Sequence, residues 1–528
     1  MYYVVVINLL FSSFVSSGWL GFNYWNGLYS TKSGYVAYTK DDSYNGLWNN
    51  WNMIYPYDSS ASLFEIKTSD VINLDTFKNK GGTTDLLIQN VNLNGKIEEN
   101  AFTTLTNLVR ITIRGCQIEK IPDLSKNTKL KILNLQNNKI TLTVEPASFP
   151  VSITHIDLGK NQIDYVPQNM FSNKPDLRIL SLAENQLEEV PYTAIQNSNN
   201  LIYLEMHNSK MINIDPGCFH NVPNVFRLDL FSNQFSYLEQ HLFTNMPKLT
   251  ELRLHSQRLF GTNTKSLKSV NFDFIKSLGS NLEILYLSDN ELSCYPHHIF
   301  IGETFTKLVE IHIDNNVITD LGLICLDGYS EDHISRFNYD TINYNRFSDT
   351  PNLKDLHIHQ NKISTISDIA MKYIPNLIYM DFSNNLLEYK YIDKSALSTA
   401  TKLITLYANN NGIVSIEVNT FPASIVTIEM YNNLYNFSPT FTFQNLKFLS
   451  KLRLDNNKIG EIPVDAFKGC IALNTLWMNG NKIKIILNTM LTNPPLNSIL
   501  YLHDNQIHYI EDLFFKNKPT NNMYILKQ

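Results

Sequence analysis

Cysteine is scarce in this sequence: a chain of 528 residues contains five, and they are not clustered near either terminus. A sparse and odd-numbered set gives little support for an oxidising compartment. Glycine (20) and proline (19) are not enriched either, whereas asparagine is abundant. The 43% of hydrophobic residues are enough for a large core, so the sequence predicts a globular chain rather than a disordered one.

Charge of one sign is also lacking, and so are the motifs of common enzymes. The net charge of −6 is spread thinly and leaves no basic patch for nucleic acid. The sequence has no G-x-x-x-x-G-K, H-E-x-x-H or G-x-S-x-G motif, and its carboxylates are not paired for acid–base catalysis. We therefore expect a protein that is not an enzyme, has no cofactor and does not bind nucleic acid.

Long apolar runs are missing except at the start of the chain. Residues 4–15 are apolar but too short to span a bilayer, and Val15, Ser16 and Ser17 resemble a small-residue cleavage site. We expect residues 1–17 to be a signal peptide, and a buried first strand is the alternative because the segment lacks Lys and Arg. With no second apolar run of ~20 residues, we expect a secreted, extracellular product without a membrane span; a cytoplasmic location is the alternative.

A short motif recurs along most of the chain. The sequence LRLDNNKI at 452–459 has counterparts such as LNLQNNKI at 133–140, IDLGKNQI at 156–163 and LWMNGNKI at 476–483. Its second asparagine marks a position that recurs every 24 residues from 161 to 257 and again from 433 to 505. Seventeen such copies predict a repeat protein whose units stack on one another.

Each half of the repeat has a physical reason. In L-x-L the two aliphatic residues point to one side of a short strand. The asparagine that follows is expected to turn the chain, while its amide satisfies backbone groups inside the stack. Ten residues later a large apolar residue recurs, which predicts a second buried column opposite the strands. The members of this column are Phe171, Ile195, Phe219, Phe243, Phe300, Phe421, Phe443, Phe467, Leu491 and Phe515.

The pattern L-x-x-L-x-L-x-x-N-x-I-x-x-I-P-x-x-x-F resembles the leucine-rich repeat family. Its period is similar to the "typical" class of Toll-like receptor ectodomains and matrix leucine-rich proteins, although their disulfide-rich caps have no counterpart here. The resemblance covers about residues 85–515. It implies an α/β-type, mostly β solenoid shaped as a horseshoe, with a parallel sheet on the concave side and irregular or 3₁₀ segments on the convex side.

The repeat spacing also predicts the boundaries of the chain's parts. Residues 85–515 form 17 or 18 coils, with insertions near 260–281 and 319–350, and residues 516–528 form a polar tail. Residues 18–84 contain most of the tryptophans, which predicts either a cap over the first coil or a small aromatic-rich module that binds a ligand. Cys116 replaces an asparagine of the ladder and is expected to be structural. A disulfide between Cys294 and Cys325 remains open.

The predicted ligand-binding surface consists of side chains that leave the concave face of the sheet. Aromatic, Arg and His residues dominate these positions, a composition that suits a protein, peptide or glycan ligand. Trp477, between Arg453 and Tyr501, is the first expected anchor, and ordinary solvated strand positions are the alternative. The candidates are Glu205, His207, Asp229, Phe231, Arg253, His255, Tyr286, His312, His357, His359, Asp381, Tyr407, Tyr431, Arg453, Trp477 and Tyr501.

Two strands combine histidine with carboxylates on one face. Asp355, His357 and His359 alternate along one strand, and Glu310, His312 and Asp314 along another. Such groups could bind Zn²⁺ or form a pH-sensitive contact with a ligand. The alternative is a hydrophilic surface without a bound ion. We adopt this alternative and assign no metal. Asn436 begins the single N-glycosylation sequon, a poor acceptor because Pro439 follows it.

The sequence therefore predicts a non-catalytic, secreted recognition protein, receptor-like or a soluble decoy, that binds a protein, peptide or glycan on its concave face. An extracellular matrix or adhesion protein and an intracellular interaction scaffold are the alternatives. The sequence leaves the oligomeric state open.

Overall fold

The structure is a computed structural model whose described residues lie mainly in the repeats. They are residues 4–8, 72–77, 80–95, 97–142, 149–236, 238, 242–258, 264–268, 278, 281–293, 305–319, 350–364, 366, 370–387, 391–392, 397–417, 419–437, 443–491, 499–512, 514 and 524–525. The chain divides into two units, one of Met1–Gln186 with Thr193–Ser198 and one of Leu187–Tyr192 with Asn199–Gln528.

The first unit contains a parallel sheet of six described strands. Each strand pairs with the next one in the sequence. The strands are Val4–Asn8 (β1), Asp85–Gln89 (β2), Arg110–Arg114 (β3), Ile132–Asn134 (β4), His155–Asp157 (β5) and Ile179–Ser181 (β6). β1 lies within the expected signal peptide and pairs with β2 as a first strand would. Cleavage after residue 17 stays a prediction.

The second unit contains a parallel sheet of thirteen described strands, again paired in sequence order. They are Tyr203–Glu205 (β7), Arg227–Asp229 (β8), Glu251–Arg253 (β9), Ile284–Tyr286 (β10), Glu310–His312 (β11), Asp355–His357 (β12), Tyr379–Asp381 (β13), Thr405–Tyr407 (β14), Thr427–Glu429 (β15), Lys451–Arg453 (β16), Thr475–Trp477 (β17), Ile499–Tyr501 (β18) and Tyr524–Ile525 (β19).

The return segments contain little regular structure. Two short parallel pairs join Tyr391–Ile392 to Ser415–Ile416 and Ile485–Ile486 to Tyr509–Ile510. Among the described residues, 3₁₀ turns lie at Leu74–Phe77, Ala370–Tyr373 and Asn488–Leu491, and Leu397 and Ser398 are α-helical. The predicted fold class, a mostly β solenoid with irregular or 3₁₀ return segments, is therefore confirmed. The part of the chain that the structure describes holds no helix long and apolar enough to cross a membrane.

Side chains alternate along each strand as the L-x-L pattern predicts. In β16 Leu452 is fully buried, as is Leu454 just beyond the strand, while Lys451 is exposed and Arg453 is half-buried. The register pairs Leu452 with Leu476 and then with Leu500. The buried leucines thus form continuous columns, and the residues between them form the opposite face of the sheet.

The predicted asparagine ladder is present. The Asn457 amide donates to the carbonyl oxygens of Met430 (2.9 Å) and Leu454 (3.1 Å), and its Oδ1 accepts the N–H of Tyr435 at 2.9 Å. Because Met430 and Tyr435 belong to the preceding coil, each amide ties two coils together. Equivalent amides are those of Asn138, Asn161, Asn185, Asn233, Asn290, Asn316, Asn361, Asn385, Asn411, Asn433, Asn481 and Asn505.

The ladder asparagine does not itself turn the chain, and that expectation was wrong. The residue before it adopts the left-handed conformation, with φ of 53° at Asn456 and 55° at Asp504. Asparagine, aspartate and glycine tolerate this conformation best, which accounts for the frequent N-N, D-N and G-N pairs of the repeat. The two positions therefore have separate roles, one in the backbone turn and one in the hydrogen bonds.

The predicted apolar column is also present in the described residues. Phe171, Phe219, Phe243, Phe443 and Phe467 are at most 1% exposed. Successive rings lie nearly parallel, with centroids 5.6 Å apart between Phe219 and Phe243 and 6.1 Å apart between Phe443 and Phe467. Ile195 is buried and Phe421 is 7% exposed. Phe300 and Phe515 lie outside the described residues.

Three cysteines are buried and free in the described residues: Cys116, Cys218 and Cys470. The Cys116 thiol lies 3.2 Å from the carbonyl oxygen of Arg114, and the backbone N–H of Cys116 donates to Asn138. Cys116 therefore fills the ladder position as expected. Burial raises the pKa of each of the three thiols to about 11.

We expect these three thiols to resist modification in the folded protein. A pKa near 11 leaves far less thiolate at pH 8 than an unfolded cysteine has, so alkylation should be about 100-fold slower or more. The measurement is the maleimide reaction rate of a Cys294→Ser, Cys325→Ser variant at pH 8, with and without denaturant. Equal rates in the two conditions would contradict the buried placement.

Several predictions fall outside the described residues. They are the cleavage site at residue 17, the tryptophans of 18–71, most of both insertions, Cys294 with Cys325, and the tail from 516 to 523. The boundaries proposed for these parts stay predictions.

Candidate ligand-binding face

The sheet face of the second unit carries three columns of outward side chains. The first column precedes the buried aliphatic pair of each repeat and includes Tyr203, Arg227 and Glu251. The second column lies between the two aliphatic residues, and the third follows them. All sixteen predicted site residues lie on this face in the second and third columns.

Aromatic rings contact one another along much of this face. They form an aromatic row of His207, Phe231, His255, Tyr286, His312, His357, Tyr379 and Tyr407. In this order, the centroids of neighbouring rings are 4.1, 4.3, 6.1, 4.3, 4.0, 4.7 and 5.5 Å apart. Because each ring is packed against its neighbours, the row is ordered before any ligand arrives.

A buried charge cluster lies beside the start of the aromatic row. It comprises Tyr203, Glu205, Arg227, Asp229, Glu251 and Arg253. The single hydroxyl proton of Tyr203 is shared between Glu205 and Asp229, whose carboxylate oxygens lie 2.5 Å and 2.8 Å from the hydroxyl oxygen. Arg227 donates two hydrogen bonds to the Asp229 carboxylate, at 3.2 and 3.1 Å, and Arg253 donates to Glu251 at 2.7 Å.

The carboxylates of this cluster are committed to internal partners. Burial alone would raise the pKa of Asp229, but the guanidinium groups of Arg227 and Arg253 outweigh it and hold that pKa below the usual range. Asp229 is 2% exposed and Glu205 is 6% exposed. These two predicted contacts therefore leave little surface for a ligand, and their role here is to hold the face together.

Three members of the cluster were missed by the sequence analysis: Tyr203, Arg227 and Glu251. A signal exists for Arg227 and Glu251, because β8 and β9 each place opposite charges two residues apart, as in Arg227 with Asp229. Residues two apart on a strand share a face, so such pairs can interact there.

Histidines and carboxylates meet at β11 and β12. His312 Nε2 lies 2.5 Å from Glu310 Oε1, and the His312 and His357 rings stack with centroids 4.0 Å apart. His359 lies between two carboxylates, 3.6 Å from Asp314 and 3.4 Å from Asp381. The structure thus brings together the two strands that the sequence analysis paired by their composition.

A second aromatic group, the Trp477 patch, lies near the other end of the described sheet. It comprises Tyr431, Arg453, Trp477 and Tyr501. The Arg453 guanidinium lies 4.2 Å from the Tyr431 ring centroid and 5.7 Å from that of Trp477, whose ring stacks on Tyr501 at 5.6 Å. All four side chains remain partly exposed.

Two carboxylates hold the Arg453 guanidinium group in place. It donates two hydrogen bonds of 3.1 Å to Asp455, which is 4% exposed, and lies 3.7 Å from Glu429. A bidentate pair fixes the plane of a guanidinium group. The stack of Tyr431, Arg453 and Trp477 therefore presents a surface with a fixed shape.

The predicted glycosylation site lies apart from the sheet face. Asn436 is exposed, and its Oδ1 accepts the N–H of Gly460 at 3.2 Å. Ser438 and Pro439 lie outside the described residues, so glycosylation stays a prediction.

Comparison with known proteins agrees with the repeat geometry. The family model described as leucine rich repeat matches residues 128–187, 151–211, 175–235, 199–259, 351–413 and 447–507. The chain thus carries matched leucine-rich repeats across residues 128–259, 351–413 and 447–507. Its matched repeats contain ladder asparagines such as Asn161 and Asn457.

Curated leucine-rich repeat proteins align with part of the chain. It is 27% identical to podocan of Mus musculus over 40% of this chain and 35% of podocan. It is 28% identical to osteomodulin of Rattus norvegicus over 37% of this chain and 45% of osteomodulin. The matched region thus spans less than half the length of these relatives.

A solved leucine-rich repeat structure covers most of the chain. The Toll–Spatzle complex of Drosophila contains a chain that superposes with a TM-score of 0.67 at 20% identity, covering 86% of this chain and 57% of that one. This likeness supports the fold.

Proposed function

We propose that this leucine-rich repeat protein is a non-catalytic, extracellular recognition protein that binds a protein ligand on its sheet face. The observation that carries the proposal is the Trp477 patch. Tryptophan, tyrosine and arginine are the residues that contribute most to binding energy at protein interfaces. Here all three lie in one ordered stack, and they remain partly exposed.

The arrangement suits a protein ligand for a further reason. Arg453 is already paired with Asp455 and packed against Tyr431, so a ligand would not have to order it. Binding to a surface that is ordered beforehand costs less conformational entropy. The Toll relative, which is solved in complex with Spatzle, supports a protein as the ligand class. The extracellular location rests on the resemblance to the extracellular class of repeats.

We expect Trp477→Ala to weaken ligand binding by about 30-fold, the effect typical of a hot-spot tryptophan. Phe448→Ala is the matched control, because Phe448 is 62% exposed and precedes β16 rather than lying on the sheet face. Wild type and both variants are immobilised and exposed to extracellular fluid of the source organism. The retained proteins are quantified, and the dissociation constant of the main one is measured.

The outcomes separate the candidate functions. A protein retained by wild type and Phe448→Ala but lost from Trp477→Ala supports the proposal. Equal retention by all three proteins would place the ligand elsewhere, and self-association insensitive to both substitutions would favour a matrix protein. N-terminal sequencing of the secreted product tests the signal peptide, and an uncleaved start would favour an intracellular scaffold.

A further inference from the structure

The sheet face contains one group of side chains whose chemistry differs from the rest. Glu310 and His312 lie on β11, and His357 lies on the neighbouring β12. One ligand atom from each of the three falls within 4.8 Å of the others. We infer that Glu310, His312 and His357 form a binding site for a zinc ion. This inference is independent of the proposed protein ligand, and it revises our assignment of no metal from the sequence.

The first argument is geometric. The register places His312 directly opposite His357, and Glu310 lies two residues before His312 on the same side of the sheet. In a tetrahedral zinc site with bonds of about 2.0–2.1 Å, the ligand atoms lie about 3.3 Å apart. A contraction from at most 4.8 Å to that separation requires side-chain movement only. Two imidazoles with one carboxylate form a donor set that zinc uses with a fourth position open.

The second argument is the charge. Glu310 pairs in register with Asp355 of β12, and like charges opposite each other on a sheet are unfavourable. Asp229 and Asp455, elsewhere on this face, have arginine partners. Among the described residues, neither Glu310 nor Asp355 forms a salt bridge with Lys or Arg. A divalent cation would compensate this negative charge.

The third argument is that the imidazoles can reach the geometry that a shared ion requires. The His312 and His357 rings are nearly parallel, 11° apart, so each must rotate about its Cβ–Cγ bond to direct a nitrogen at a shared ion. That torsion is soft for imidazole.

The test uses metal alone with the full-length protein. Co²⁺ is the probe, because in a tetrahedral site it gives visible absorption that the aqueous ion lacks, and Zn²⁺ then competes for the same site. We expect wild type to bind one equivalent of Co²⁺ and to release it when one equivalent of Zn²⁺ is added. His312→Ala and His357→Ala should each weaken binding by at least about 10-fold, as should Glu310→Gln.

His508→Ala is the matched control. His508 is an exposed histidine outside this group, so its loss should leave the absorption and the stoichiometry unchanged. Circular dichroism and thermal unfolding of every variant establish that it is folded. A folded wild type without the visible band, or a band that persists in both His312→Ala and His357→Ala, would overturn the inference.

Discussion

Replacing Arg227 with methionine is expected to destabilise the protein by about 3–5 kcal/mol, the usual cost of leaving a buried charge without its partner. Methionine retains much of the length of the side chain but not the two hydrogen bonds to Asp229. Asp229, at 2% exposed, would keep the Tyr203 hydroxyl at 2.8 Å and Arg253 at 3.7 Å. Neither replaces a bidentate guanidinium. The measurement is the free energy of unfolding in urea at pH 7.

Two comparisons make this test specific. Lys451→Met changes the charge at the same column position of β16, where the side chain is exposed, and should shift stability by less than about 0.5 kcal/mol. Arg227→Met combined with Asp229→Leu removes both charges, so it should cost less than the sum of the single variants. Additive effects of the two substitutions would mean that the pair is not coupled.

The pH dependence gives a second readout. In wild type the pKa of Asp229 is depressed, so its contribution to stability is present above the pKa of an unfolded aspartate, about 4, and is lost as the pH falls further. In Arg227→Met we expect burial to outweigh the remaining Arg253 and to raise the pKa of Asp229, so that protonation relieves the penalty. We therefore expect the stability difference between wild type and variant to narrow as the pH falls from 7 toward 4. A difference that stays constant over this range would contradict the explanation.

Replacing Asn457 with leucine is expected to cost about 2–4 kcal/mol, because a ladder amide serves four backbone groups at once. Without it the N–H of Tyr435, which donates to Asn457 Oδ1, is left buried and unpaired. The carbonyl of Met430 keeps the amide of Asn433, and that of Leu454 keeps the amide of Asn481. The substitution therefore leaves one backbone N–H without an acceptor and removes one hydrogen bond from each of several carbonyl groups. The measurement is the decrease in the free energy of unfolding.

Neighbouring positions supply the controls for this prediction. Asn456→Gly should be nearly neutral, because Asn456 has a φ of 53° that glycine adopts without strain. Asn457→Gln should fall between wild type and Asn457→Leu, since Gln257 donates to the equivalent carbonyls of Leu230 and Leu254 at 3.1 and 3.2 Å. If Asn456→Gly were the more damaging substitution, the division of roles between the two positions would be wrong.

The buried parts of the fold were predictable because burial leaves a periodic trace in the sequence. Residues such as Leu452, Asn457 and Phe467 recur at fixed offsets, and each offset reports one column of the core. The left-handed residue was not separated from the ladder asparagine because both positions are often occupied by asparagine. The hydrogen bonds and the value of φ were needed to tell them apart.

The sheet face was predictable as a surface but not in its contacts. Alternation along the strands identified Trp477 and Arg453 as outward residues. It also predicted that His312 and Glu310 lie on the same face of the sheet. It did not show that Glu205 and Asp229 are buried, because their partners Tyr203 and Arg227 come from positions with no repeating residue type. Contacts between neighbouring strands depend on the length and rotamer of the side chains on both strands. The sequence of one coil does not specify the side chains of the next coil.

The amide ladder has a direction, since each carboxamide reaches back to the coil that precedes it, as Asn481 reaches Leu454 and not forward. During synthesis the earlier coil leaves the ribosome first, with its last carbonyls and one N–H still lacking these partners. The next coil supplies the asparagine amide that completes the hydrogen bonds of the earlier coil. The coils can therefore fold one after another in the order of translation. An arrested nascent chain would then always carry one unfinished coil, at its growing end.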